Sequence, residues 1–90
     1  MVLFRRMLGD VLRAQRVERG MTLRALSADA RVSLGYISEI ERGQKEASSE
    51  LLASLCQALD VPLSQVLREV SAAVAVEELA LGGGVVASAA

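Results

Sequence analysis

Residues Thr22 to Gly43 read TLRALSADARVSLGYISEIERG, and this stretch encodes two short helices joined by a tight turn. Thr22 can cap the first, because its hydroxyl can accept a hydrogen bond from a backbone N–H one turn into the helix. Leu23, Leu26 and Ala30 then repeat at helical spacing, with Asp29 and Arg31 polar beside them. Val32 is expected to pack under the turn, and Ser33 to cap a second helix from Leu34 to about Arg42. Ile37 and Ile40 face inward on that helix and Gly43 stops it. The second helix is therefore presented to a partner while the first braces it.

Working outward, the preceding residues from about Phe4 to Arg19 form a helical pattern with Leu8, Val11 and Leu12 on one face and Arg5, Arg6, Arg13 and Arg19 mostly off it. Gly20 is expected to end that helix in the left-handed conformation. After Gly43, a loop from Gln44 to Ala47 leads to Ser48 and Ser49 as candidate caps, with Glu50 in the first turn, where a carboxylate suits the helix dipole. A fourth helix buries Leu51, Leu52, Leu55, Cys56 and Leu59. Asp60 and Val61 make a brief turn, and Pro62 suits the first position of a fifth helix. The fold class is all-α, with five helices.

Ninety residues, 52% of them hydrophobic, suffice for one small helical core and exclude two domains. Phe4 and Tyr36 are the only aromatic residues, so Leu, Val, Ile, Ala and Met build the core. The single cysteine, Cys56, has no partner for an internal disulfide, and without histidine no zinc ligand set is credible. No metal and no cofactor is expected, and a reducing cytoplasm is the expected location. The amino-terminal MVLFRRMLGDVLR intersperses charge among its apolar residues, unlike a signal peptide or a membrane span. Enzyme chemistry is poorly supported: no nucleophile has a base, and Gly82 to Gly84 lack the Lys and Ser or Thr that a phosphate loop needs.

The net charge of −1 conceals an asymmetry. Met1 to Glu46 carry nine Arg or Lys against six Asp or Glu, giving +3, whereas Ala47 to Ala90 carry one against five, giving −4. Phosphate contacts depend on local basic groups, and the basic half contains the two-helix stretch.

Leu26, Ser27, Ala30, Val32, Ile37 and Ile40 at these offsets, followed by ISEIERG at Ile37 to Gly43, resemble the Cro and phage-repressor type of helix-turn-helix regulators. The resemblance covers about Leu8 to Leu67. More narrowly, RVSLGYISEIERGQKEASSELLASLCQAL is similar to the actinobacterial regulators of caseinolytic (Clp) protease genes, which are transcriptional activators. It implies a five-helix repressor-like domain over residues 1–81, with residues 62–81 as an extended C-terminal dimerisation helix; residues 82–90, small and low in complexity, read as a flexible tail. The implied partners are double-stranded DNA, a second copy of the chain and RNA polymerase, with no membrane. Three positions depart from the family pattern: Arg31 stands where glycine commonly makes the left-handed turn, Leu23 replaces a glutamine that touches the DNA backbone, and Ala47 replaces a loop proline.

A helix in the major groove offers its amino-terminal turn and outward face to base edges, which nominates Leu34, Gly35, Ser38 and Glu39 as base readers. Glu39 can accept from a cytosine amino group and Leu34 can pack on a thymine methyl, while Ser38 is permissive. Gly35 costs the helix roughly 1 kcal/mol relative to alanine, which makes sense if a side chain there would collide with DNA; the alternative is a tolerated weak point. Thr22, Arg24, Ser33, Arg42 and Lys45 are candidates for phosphate contacts. Tyr36 either lies along the sugar-phosphate backbone, braces the following loop or packs in the core. The resemblance implies a structural ion pair between Arg16 and Glu41, linking the first helix to the recognition helix.

The fifth helix is more apolar than one small domain can cover. Leu63, Val66, Leu67, Val70, Ala73 and Val74 follow helical spacing, and Val76, Leu79 and Leu81 extend the surface. Leu63, Val66, Leu67, Val70 and Val74 are expected in a homodimer interface that sets two recognition helices roughly 34 to 36 Å apart; the alternative is that this helix folds back on its own core. The tail GGGVVASAA, ending in Ala89 and Ala90, looks like a degradation tag read by Clp protease, or is inert. A helix-turn-helix antitoxin, whose spare apolar surface would cover a toxin, and a purely protein-binding module are the rival functions.

Overall fold

The structure, a computed structural model, describes residues 3–82. Five helices and no strand occur among them: α1 (Phe4–Glu18), α2 (Leu23–Ala30), α3 (Leu34–Glu41), α4 (Ser49–Leu59) and α5 (Leu63–Ala80). Three helix starts are capped by hydroxyls. Thr22 Oγ1 accepts from the Ala25 N–H at 3.0 Å, Ser33 Oγ from Tyr36 N–H at 3.2 Å, and Ser48 Oγ from Leu51 N–H at 3.2 Å. Each bond satisfies a backbone donor that the first helical turn leaves without an intrahelical acceptor.

The helix ends are equally local. After α1, Gly20 has φ +67°, and the Gly20 and Met21 N–H groups return to the Val17 and Arg16 carbonyls. After α3, Gly43 has φ +74°, and Gly43 and Gln44 N–H donate to Ile40 and Glu39 carbonyls. The same left-handed turn ends α2 and α4 without glycine, at Arg31 (φ 59°) and Asp60 (φ 55°). Pro62 stands one position earlier than expected. Its ψ of 141° leaves it extended, so it caps α5 rather than opening it, and its carbonyl accepts from Gln65 and Val66.

Leu12, Leu26, Ile37, Ile40, Leu55, Leu59 and Val66 form the centre of the core, all fully buried. Each contributes about 1.5–3 kcal/mol by leaving water. Helix α1 packs on α3 and α5, α2 packs on α3 and α4, and α4 closes on α5. Leu51 and Leu52 of α4 are only half-buried against this core.

Helix α5 corrects two assignments. Val66 and Val70 are 0% and 3% exposed within the single chain, so they belong to its own core and are not free for an interface between copies. Leu63 and Leu67 on the adjoining face remain 40% and 44% exposed. Val74 is half-buried at the edge of the core, while Val76, Leu79 and Leu81 stand in solvent. One stripe of α5 thus folds back on the chain's own core, and the rest has no cover within the chain. No helix among the described residues is long and apolar enough to cross a membrane.

Candidate nucleic-acid interface

Helix α3 is positioned from behind at three places. Midway along α1, Gly9 touches the α3 backbone so closely that a Cβ there would overlap the Ile40 carbonyl oxygen and stand 2.8 Å from that of Glu41. One helical stretch later, Arg16 Nε donates to Glu41 Oε2 at 2.8 Å and its Nη2 to Glu41 Oε1 at 3.0 Å. Its remaining Nη1 donates to the Met21 carbonyl at 2.8 Å, so one guanidinium ties α1, the α1–α2 loop and α3. Near the start of α1, Arg5 Nε donates to the Gly43 carbonyl at 3.0 Å, and its Nη1 lies 3.8 Å from Glu46. A Cβ on Gly43 would stand 2.9 Å from Arg6 Cα, so the chain leaves α3 against α1 only because that residue is glycine.

The Arg16 and Glu41 side chains are 12% and 5% exposed. Hydrogen bonding to Glu41 holds the Arg16 guanidinium above its ordinary high range, against the opposing pull of desolvation. Fork-to-fork geometry of this kind fixes orientation as well as adding energy. A pair so buried adds less net stability than its attraction suggests, because both ions leave water, but stranding one partner is costly.

In the turn between α2 and α3, Ser27 Oγ donates to the Val32 carbonyl, and the Val32 N–H returns to the Ser27 carbonyl at 3.2 Å. A small hydroxyl residue thus satisfies a backbone group that the bend removes from regular helix pairing. Arg31 takes the left-handed position, where a side chain costs on the order of 1 kcal/mol.

The outward side of α3 is free of such fastenings. Leu34 and Gly35 are exposed and Ser38 and Glu39 half-buried. Nothing lies within 4 Å of a Cβ built on Gly35, so the fold itself does not require glycine there. Tyr36 is exposed, and its hydroxyl donates to the Glu46 carbonyl at 3.2 Å, bracing the loop that leaves α3. Arg42 Nη2 reaches Gln44 Oε1 only at 3.4 Å, and Lys45 and Arg24 are exposed. Thr22 and Ser33, exposed as well, spend their oxygens as cap acceptors and keep their hydroxyl protons free to donate. The arrangement offers hydroxyl and guanidinium donors at the edges of a helix whose central face carries one methyl-rich, one bare, one hydroxyl and one carboxylate position.

The helix-turn-helix family matches residues 12–66. The chain belongs to the Cro and phage-repressor type of this helix-turn-helix family. This helix-turn-helix protein is 63% identical over 65 residues to the transcriptional regulator ClgR of Mycobacterium tuberculosis, covering 72% of its own length and 58% of that relative. It thus spans little more than half of the curated relative it matches. It superposes on the crystal structure of the clp gene regulator ClgR from Corynebacterium glutamicum with a TM-score of 0.86 and 46% identity, covering 94% of this chain and 90% of that one. A restriction-modification controller protein from Aeromonas hydrophila aligns with a TM-score of 0.67 and 26% identity over 69% of this chain and 94% of that one.

Three contacts of this helix-turn-helix protein were not anticipated from its sequence. Gly9 is the first, and its signal is a glycine inside an otherwise well-patterned helix, which marks a close backbone approach. The second is Arg5, whose bond to Gly43 has no local signature. The third joins α1 to α5. Gln15, buried, donates from Nε2 to both carboxylate oxygens of Glu69 at 2.7 and 2.9 Å, while Gln65 Nε2 donates to Glu69 at 3.0 Å and Arg19 donates to the Gln15 side-chain oxygen. Hydrogen bonds from Gln65 and then Gln15 hold the Glu69 carboxyl below the usual glutamate range. The available signal was a polar residue at an apolar position of the α1 repeat, after Leu8, Val11 and Leu12.

Proposed function

We propose that this chain is a sequence-specific DNA-binding transcriptional regulator that activates Clp protease and chaperone genes. In this function α3 enters the major groove, with Leu34, Gly35, Ser38 and Glu39 toward base edges and Thr22, Arg24, Ser33, Tyr36, Arg42 and Lys45 near phosphates. Residues 1–81 act as the DNA-binding unit and 62–81 join two copies on a two-fold operator. Leu63, Leu67 and Val74, continued by Val76, Leu79 and Leu81, form the contact between copies. RNA polymerase is the partner an activator requires. A role for the Ala89–Ala90 tail as a Clp protease tag concerns positions outside the described residues.

One observation carries this function: α3 is fastened to α1 at Gly9, Arg16 and Arg5 while its opposite face is left open. Rigid presentation of a polar helix face is what groove reading needs, because misplacing a bidentate contact forfeits about 1–3 kcal/mol of base discrimination. The similarity to ClgR supports the choice of target genes.

Selection of bound duplexes from a random library tests the proposal. The expected result is an inverted repeat with half-sites about one helical turn apart, found upstream of protease and chaperone genes; recovery of no enriched sequence would refute it. The exposed apolar end of α5 favours one rival occupant, a toxin protein. Sedimentation of the purified chain at twice its 9.5 kDa mass, with no second polypeptide copurifying, is expected here and would exclude that rival.

A further inference from the structure

A recess opens where α1, α2 and α3 meet, beside the outward face of α3. Asp10 and Arg13 of α1, Leu23 of α2, Ser38 of α3 and Arg42 at the end of α3 line it, together with the Arg16–Glu41 pair. Because that pair is bidentate and largely buried, the two charges cancel at the recess wall. Leu23 contributes no donor. The charges left facing solvent are therefore Arg13 and Arg42 against Asp10, a net positive balance.

Arg13 makes no ion pair and no side-chain hydrogen bond among the described residues, although Asp10 lies one turn earlier on the same helix. It is exposed and has no part in the core. A guanidinium held at the edge of a groove-reading helix, unpaired and opposite a second one, matches a phosphate oxygen in charge and in donor geometry. Resting on the DNA-binding function proposed above, we infer that Arg13 of α1 is a further DNA-backbone contact, holding with Arg42 a phosphate that passes over the recess. Helix α1 then joins α2 and α3 in setting the register of the protein on the duplex, in a contact that carries no sequence information.

The full chain and a mixed-sequence duplex of about 30 base pairs test this, since non-specific binding is almost wholly electrostatic and needs no known operator. Affinity is measured against salt concentration for the unaltered chain, Arg13→Ala and Arg13→Lys. Arg13→Ala should lower the slope of log affinity on log salt by about 0.9 per protomer, so that it loses about 3.5-fold less affinity between roughly 50 and 200 mM salt. Arg13→Lys should keep the slope, and both variants should keep the melting midpoint. A steep slope for the unaltered chain that Arg13→Ala leaves unchanged overturns the assignment of Arg13 alone, and loss of slope in Arg13→Lys overturns the role of its charge. Absence of any salt-dependent binding by the unaltered chain would instead overturn the DNA-binding function itself.

Discussion

Gln15 and Arg16 are neighbours on α1, yet they fasten two different helices in different ways. Arg16 reaches α3 through a buried bidentate ion pair with Glu41, and the Gly9 backbone contact backs it a few residues earlier. Gln15 reaches α5 through a neutral amide that donates to Glu69, a side-chain bond rather than an ion pair. The start of α5 is held instead by the burial of Val66 and Val70, and from Val76 onward its apolar side chains touch solvent. Directional charge and backbone contact set the angle of a helix, whereas burial is indifferent to small rotations. The first joint thus makes α3 a fixed tool. The second makes α5 a plank secured at one end.

The largest expected effect breaks the first joint. Arg16→Ala should cost about 3 kcal/mol in denaturant unfolding by stranding the Glu41 carboxylate in a buried site, and should weaken DNA binding in parallel. Replacing both partners, Arg16→Met with Glu41→Leu, should recover most of that stability; a double variant as unstable as the single one would show that the stranded charge is not the cause. Gly9→Ala should cost about 2 kcal/mol, because the new methyl group forces two helix backbones apart and outweighs the gain in helix propensity. A higher unfolding midpoint for Gly9→Ala would mean that α1 and α3 do not touch as described.

At the second joint the costs should be smaller. Gln15→Met should destabilise by about 1 kcal/mol at neutral pH, the net worth of an ordinary hydrogen bond, because the half-buried Glu69 carboxylate is screened by solvent and keeps its bond from Gln65. Folding holds the Glu69 carboxyl below its ordinary range, so this stabilisation is complete above the unfolded glutamate value and drains away as pH falls through the folded one. The gap between the unaltered chain and Gln15→Met should therefore close on acidification; a gap independent of pH would detach it from Glu69. Leu67→Ser should change monomer stability by under about 0.5 kcal/mol, as expected for a surface position, while abolishing the dimer mass in sedimentation. Equal loss of both would make Leu67 a core residue like Val66.

The local parts of the fold were legible because their causes are local. Thr22, Ser33 and Ser48 cap helices through bonds spanning three residues, and Gly20 and Gly43 turn the chain where a left-handed residue is needed. Helix α5 was less legible because Leu63, Val66, Leu67 and Val70 make two adjoining apolar stripes, and periodicity alone does not say which one the chain keeps for itself. Its start was misplaced by one residue because a proline fits the extended cap as well as the first turn. Gln15 and Glu69 lie 54 positions apart, so their bond depends on how α5 docks. The open face of α3 followed from helical spacing once Ile37 and Ile40 were placed inward, but Arg13 joins that surface only through the crossing of α1 and α3.

Gly35 separates two sets of demands on the same helix. Open space surrounds the place its side chain would occupy, and alanine there would raise helix propensity by roughly 1 kcal/mol. Folding therefore exerts no selection for glycine at this position, and any pressure to keep it must come from what α3 meets outside the chain. A side chain there would reshape the outward surface of α3 at no cost to the scaffold, so this position of the helix is free to diverge without disturbing the fold.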